Sequence, residues 1–369
     1  MRYLGFAVGR WITRIISNEQ VMSEKIIPIV PESRLPVQKS WDVAPEVVES
    51  DVQEVVISLF GECNLRCTFC YDAERFDERA TVAGIMHRLD LFAEAIKHVT
   101  RPRIDVKVFG GELFQDKFKA PIWEAYDRFF TGLRDLADQY GKVLNIYVAT
   151  NLQYTSIVME QVIDLLKKHN IKVRGSFDFV GRFTQRVQLH KFAQNGMGLI
   201  NLGIPFELAF VATKPNINAI MHPKGFELEH NVFNWFYEYS KVQFDFYNDV
   251  GIEGYTVTED ELFEFYKFLA LHYPKISTVA ERVRNFEQGF VNYRYCNRGI
   301  WIDQIIQSTC CDFKAKTEEF IRNKDCLTCE HFTYCTGSCV RVFAEESDCW
   351  IRKFFDWLKY EQKDNSDRK

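Results

Sequence analysis

The chain has 369 residues, 47% of them hydrophobic and 26% charged, with a formal net charge of −5. That balance builds a substantial core and argues against a nucleic-acid surface as the main purpose, and no apolar run reaches the roughly 18 residues that span a bilayer. Met1 to Ile16 is interrupted by Arg10 and Arg14 and leads to no small-residue cleavage site, so the chain reads as cytoplasmic, with neither nucleic acid nor membrane as partner.

Residues 1–50 read as an N-terminal arm: an amphipathic stretch over 2–16, then an extended segment with three prolines between Ile27 and Pro36. Strands and helices alternate from residue 53. The first strand is expected over Val55–Phe60 and the first helix over Thr81–Thr100, where Ile85, Leu89, Phe92, Ile96 and Val99 recur at helical spacing. Strand Ile104–Phe109, helix Ala120–Tyr140, strand Leu144–Ala149, helix Ser156–His169 and strand Ile171–Ser176 follow, with further strands at Phe206–Thr213 and Val242–Tyr247. Such alternation implies a parallel α/β sheet with ligands at the carboxyl ends of the strands. Six strands suit an open (β/α)6 barrel over 51–285, followed by a cysteine-rich domain over 286–355 and a charged tail over 356–369.

Eleven cysteines divide into three at 63–70 and eight at 296–349, with none between Cys70 and Cys296. In a reducing compartment such clustering points to metal rather than disulfides. The run Gly61-Glu62-Cys63-Asn64-Leu65-Arg66-Cys67-Thr68-Phe69-Cys70-Tyr71 supplies three thiolates where a 4Fe-4S cluster takes four ligands. Zinc would want a nearby fourth Cys or His, and the closest histidine is His87, inside the expected helix.

Cys63-x3-Cys67-x2-Cys70, with Phe69 before the last cysteine, resembles the radical S-adenosylmethionine (radical SAM) enzymes. The resemblance implies a 4Fe-4S cluster on Cys63, Cys67 and Cys70 whose open iron chelates S-adenosyl-L-methionine, and a first half-reaction in which the reduced cluster cleaves that cofactor to a 5′-deoxyadenosyl radical. It implies cofactor contacts from Phe69 and from Gly110-Gly111-Glu112, with Glu112 on the methionyl amine. Thr150-Asn151 resembles the family's Thr-Asn-Gly, although Leu152 stands where the family has glycine. Ser176-Phe177-Asp178 resembles its Ser-x-Asp, which makes Ser176 a ribose contact and Asp178 a catalytic residue facing the reaction space. A strand-end capping pair is the alternative for Ser176 and Asp178.

Cys326-x2-Cys329-x5-Cys335-x3-Cys339, followed by Cys349, is similar to the SPASM extension, which carries auxiliary 4Fe-4S clusters. The resemblance implies two of them: an inner one on Cys296, Cys310 and Cys339, and an outer one on Cys326, Cys329, Cys335 and Cys349. Cys311 is an alternative to Cys310 or a fourth inner ligand, since position 290, where some relatives have cysteine, is Phe. Two structural zinc sites are the rival for this half. The expected function is modification of a peptide or protein side chain, by crosslinking or oxidation as in the anaerobic sulfatase-maturing relatives, with an external electron donor such as flavodoxin or ferredoxin. A non-catalytic iron-sulfur or zinc module, an electron carrier or scaffold, is the alternative.

Overall fold

The computed structural model describes residues 51–70, 72–246, 252–289, 300–302, 306–307, 329–331, 335 and 349–367. Its centre is an eight-stranded sheet in the order β6-β5-β4-β3-β2-β1-β7-β8. Strands β1 (Val52–Ser58), β2 (Arg103–Phe109), β3 (Val143–Thr150), β4 (Ile171–Ser176), β5 (Phe206–Ala212) and β6 (Lys241–Phe246) follow one another in space as in sequence. Every pairing among these six is parallel, so all their carboxyl ends meet on one rim, as the alternation predicts. Two short strands extend the sheet beyond expectation: β7 (Ile300–Ile302) lies parallel to β1, and β8 (Ile306–Gln307) antiparallel to β7.

The crossovers are helices whose apolar stripe fills the space outside the strands. Helix α1 (Val82–Ile96) buries Ile85, Phe92 and Ile96, and Thr81 caps it by accepting from the Gly84 N–H at 3.0 Å. Helix α2 (Ala120–Gln139), with proline in its first turn, buries Tyr126, Phe129, Phe130 and Leu133. Helices α3 (Ser156–Lys168), α4 (Arg186–Asn201), α5 (Lys214–Met221), α6 (Glu227–Tyr239), α7 (Glu259–His272) and α8 (Ser277–Gln288) continue the wrap. An aromatic cluster accompanies β4, β5 and β6, where Phe177, Phe192, Phe233, Phe236, Phe210, Phe244 and Phe265 pack edge to face or tilted.

Helix α9 (Trp350–Asp367) starts beside Cys349 and packs on α7, with the Tyr266 and Trp350 rings 4.5 Å apart and Lys353 paired to Asp260 at 2.6 Å. The sequence-based boundaries at 285/286 and 355/356 therefore fall inside α8 and α9, and the expected charged tail is helical through Asp367. A helix with one apolar face tolerates a charged outer face, which is why composition alone suggests a tail. Among the described residues no helix is long and apolar enough to cross a membrane.

Candidate functional site on the barrel rim

Chain continuity places the cysteine loop at the carboxyl end of β1, and the loops after β2, β3 and β4 close around it. Cys63, Cys67 and Cys70 are all half-buried and unbridged. Burial, then the charge of Glu112, pushes the Cys63 thiol up to about 12, and burial also raises Cys67 and Cys70. As free thiols they stay protonated, yet N–H groups are aimed at two of the sulfurs: Leu65 N at 3.4 Å and Asn151 Nδ2 at 3.8 Å from Cys63 Sγ, and Arg182 Nη1 at 3.6 Å from Cys67 Sγ. Phe69 is buried, tilted against Tyr255, with the Arg182 guanidinium 5.4 Å from its ring centre. His87 is exposed on α1.

The glycines of Gly110-Gly111-Glu112 serve close approach, but of protein to protein. A Cβ on Gly111 would stand 2.2 Å from the carbonyl oxygens of both Gly61 and Glu62, and one on Gly110 would stand 2.9 Å from Phe60 O. In return Gly111 N donates to Phe60 O and Glu112 N to Glu62 O, at 2.8 and 3.0 Å. The β2 loop is thereby fastened to the backbone that enters the cysteine run.

Glu112 is held by the protein itself. It is 1% exposed and receives three protein donors: Phe114 N at 2.9 Å and Thr150 Oγ1 at 2.7 Å on one oxygen, Asn151 N at 2.6 Å on the other. Burial lifts its carboxyl to about 7 despite those donors. Its role is to latch the β2 loop to the β3 loop. Asn151 is thereby oriented, and its amide also donates to Asn64 Oδ1 at 2.8 Å. Leu152, standing where glycine was expected, adopts φ +57° and is fully buried. The left-handed conformation costs a non-glycine residue about 1–2 kcal/mol, and Asn195 Nδ2 holds it by donating to the Leu152 and Tyr154 carbonyls at 2.8 and 2.9 Å.

Asp178 is held in a similar way. It is 1% exposed; one oxygen accepts from Val211 N at 2.9 Å and Asn216 Nδ2 at 2.7 Å, the other from Arg182 Nε at 2.6 Å. Burial raises it to about 6, with Arg182 the main opposing influence. Asp178 is enclosed by protein donors and holds the Arg182 guanidinium. Ser176 at the end of β4 is half-buried and has no hydrogen-bond partner among the described residues, which leaves its hydroxyl available.

Three contributors escape sequence reading. Arg182 follows Asp178 by one helical turn's spacing in a loop turned by Gly181 at φ +86°, a signal of local pairing that says nothing of its reach to Cys67. Asn216 reads only as part of the α5 cap, where its N–H meets Thr213 Oγ1. Glu62, beside Cys63, pairs with Arg79 and Lys117 at 2.6 Å each and accepts from Ala80 N; burial would raise its pKa, but these partners bring it down to about 2.

Of the second cysteine group, Cys329, Cys335 and Cys349 are described, each half-buried. Cys335 N donates to His331 O at 3.0 Å, and Cys335 and Cys349 lie against the core beside α9. Cys296, Cys310, Cys311, Cys326 and Cys339 lie outside the described residues, as do Phe290 and the arm over 1–50.

The sequence matches no family model and no curated protein. Solved structures do resemble the fold. A structure of native anSMEcpe with bound AdoMet and Cp18Cys peptide aligns at 16% identity over 86% of this chain and 100% of its own, with a TM-score of 0.55. The crystal structure of Streptococcus suis SuiB bound to precursor peptide SuiA aligns at 17% identity over 81% of this chain and 74% of its own, with a TM-score of 0.48. The first of these likenesses is one of fold: six parallel strands curled into the partial barrel of the radical SAM enzymes.

Proposed function

We infer that this chain, built on the radical SAM fold, is a radical SAM enzyme of the SPASM type that acts on a peptide or protein side chain. The observation that carries the reading is the trio of half-buried thiols on one loop at the rim, with N–H donors already aimed at Cys63 and Cys67. Such donors gain little from a neutral thiol and suit a metal-bound thiolate. The donor set also fits the group: three sulfurs leave a 4Fe-4S cluster one position for a ligand that is not protein.

Bound there, the cluster would supply the electron that cleaves S-adenosylmethionine and so starts hydrogen-atom abstraction from the substrate. The chain's own part is to hold and enclose. Glu112 fixes the loops that carry Asn151, Phe69 shields one side, and the Ser176 hydroxyl is the polar group at the rim suited to the ribose of a bound cofactor. The auxiliary clusters are assigned to Cys296, Cys310 or Cys311, and Cys339, and to Cys326, Cys329, Cys335 and Cys349. Binding of AdoMet and of a peptide by the anSMEcpe neighbour supports the substrate class. Re-reduction between turnovers assigns an external donor of the flavodoxin or ferredoxin kind.

The test is the combined change of Cys63, Cys67 and Cys70 to Ala in protein reconstituted anaerobically. Formation of 5′-deoxyadenosine from S-adenosylmethionine under reduction should be abolished, and iron should fall by about four atoms per chain. Undiminished cleavage in the triple variant would end this reading, and a wild-type protein that binds iron without cleaving the cofactor would be a carrier or scaffold.

A further inference from the structure

Arg182 is a half-buried cation whose position no motif explains. Its side chain is 15% exposed and its Nε donates to an Asp178 side chain that is fully buried. Asp178 is itself held by Val211 N and Asn216 Nδ2 from the β5 side of the rim. The guanidinium is therefore fixed by two strand ends, and it points to the cysteine loop: Nη1 is 3.6 Å from Cys67 Sγ and the guanidinium carbon lies 5.4 Å from the centre of the Phe69 ring. The backbone is fastened at the same place, with Thr68 N donating to Gly181 O at 3.1 Å. Gly181, at φ +86°, admits no ordinary side chain, and a Cβ there would stand 3.1 Å from Phe69. An ion pair whose sole use was to join β4 to β5 would not need its far nitrogens against a sulfur of another loop.

We propose that Arg182, positioned by Asp178, donates to the Cys67 thiolate and sets the reduction potential of the cluster bound by the rim cysteines. The argument rests on the cluster reading above and on charge. Reduction adds an electron to the thiolate-ligated group, and a fixed cation within hydrogen-bond reach of a ligand sulfur stabilises the more negative state. Arginine cannot lose its proton at accessible pH, so the contribution is constant. The pair thus makes the β4–β5 side of the rim, rather than the cysteine loop alone, a determinant of how readily the site is reduced.

The experiment is an EPR-monitored redox titration of the full reconstituted chain, following the signal that changes on addition of S-adenosylmethionine and so belongs to the rim cluster. In R182Q reduction should become about tenfold less favourable, which for a one-electron couple is a fall of about 59 mV in midpoint potential. R182K keeps the charge but loses the fork, and should show a smaller fall with the same iron content. A wild-type midpoint in R182Q at full iron loading overturns the proposal and leaves the enzyme reading standing. If R182Q binds no iron, R182K decides: a lowered midpoint supports the proposal and an unchanged one overturns it. Absence of any S-adenosylmethionine-responsive signal in the wild type would instead overturn both.

Discussion

Two buried carboxylates close the two sides of the rim. Glu112 ties the loop after β2 to the loop after β3 through neutral donors, two backbone N–H groups and the Thr150 hydroxyl. Asp178 ties the loop after β4 to the end of β5 through one backbone N–H, one amide and one guanidinium. Both hold neighbouring parallel strands at their open end, where the ladder hydrogen bonds stop and each loop would otherwise move independently. They differ in charge balance. No cation is hydrogen-bonded to Glu112: Arg182 acts on it only at a distance, and burial lifts it to about 7, whereas Arg182 bonds Asp178 directly and opposes the same penalty there, where the carboxyl rises to about 6. Glu112 ends its chain of contacts on protein; Asp178 passes a positive charge on to the cysteine loop. One side of the rim is held by neutral donors, the other by an ion pair.

The comparison is broken most severely at Asp178. D178A leaves Arg182 in the interior without its partner, and removing one member of a buried pair costs about 3–5 kcal/mol. Urea unfolding of the metal-free protein should show that loss as a lower midpoint at constant slope. E112A orphans three donors but no charge. Each orphan costs about 1–3 kcal/mol at most, and water admitted to the small space left behind can serve several at once. Its expected loss is about 2–3 kcal/mol, smaller than that of D178A. If E112A proved the more damaging, the charge on Arg182 would be better solvated than its burial indicates, and the contrast between the two sides would fail.

The sheet was legible because its evidence is local. Ile171–Ser176, preceded by Asn170 and ending on its own Ser176, is found as read. The first strand is displaced, Val52–Ser58 in place of Val55–Phe60, because Leu59 and Phe60 are buried in the loop that follows, and apolarity reports burial rather than extended conformation. The helices after β4 were not assigned; in α4, for example, Asn195, Gly196 and Gly198 interrupt the apolar stripe of Leu189, Phe192 and Met197. The three rim cysteines were singled out by their spacing, and the fold holds them half-buried and unbridged on one loop. The protein partners of Glu112 and Asp178 were not legible: each has one 38 residues away, Thr150 and Asn216. A motif marks such residues as indispensable without saying whether they face a ligand or the protein. Leu152 shows the converse, since a glycine-like backbone survives without glycine where Asn195 secures it.

The finest test separates the two carboxylates by pH. Glu112 in the folded chain holds its proton up to about 7 and Asp178 up to about 6, against ordinary values of 4.5 and 3.8. Between the ordinary and the folded values the native state binds protons that the unfolded chain has released, so stability must fall as pH rises through that window. The contribution is complete below the unfolded value and lost above the folded one. For Glu112 the window extends about one unit higher than for Asp178, chiefly because a glutamate starts from the higher ordinary value, 4.5 against 3.8. Metal-free wild type should therefore lose stability from pH 5 to pH 8 in urea unfolding. E112Q, which cannot titrate, should show a flatter dependence in the upper part of that range, with D178N flattening only the lower part. A wild-type slope in E112Q would mean that Glu112 is already ionised in the folded state, held by Phe114 N, Asn151 N and Thr150 Oγ1 as an anion, and that both sides of the rim are built around charge.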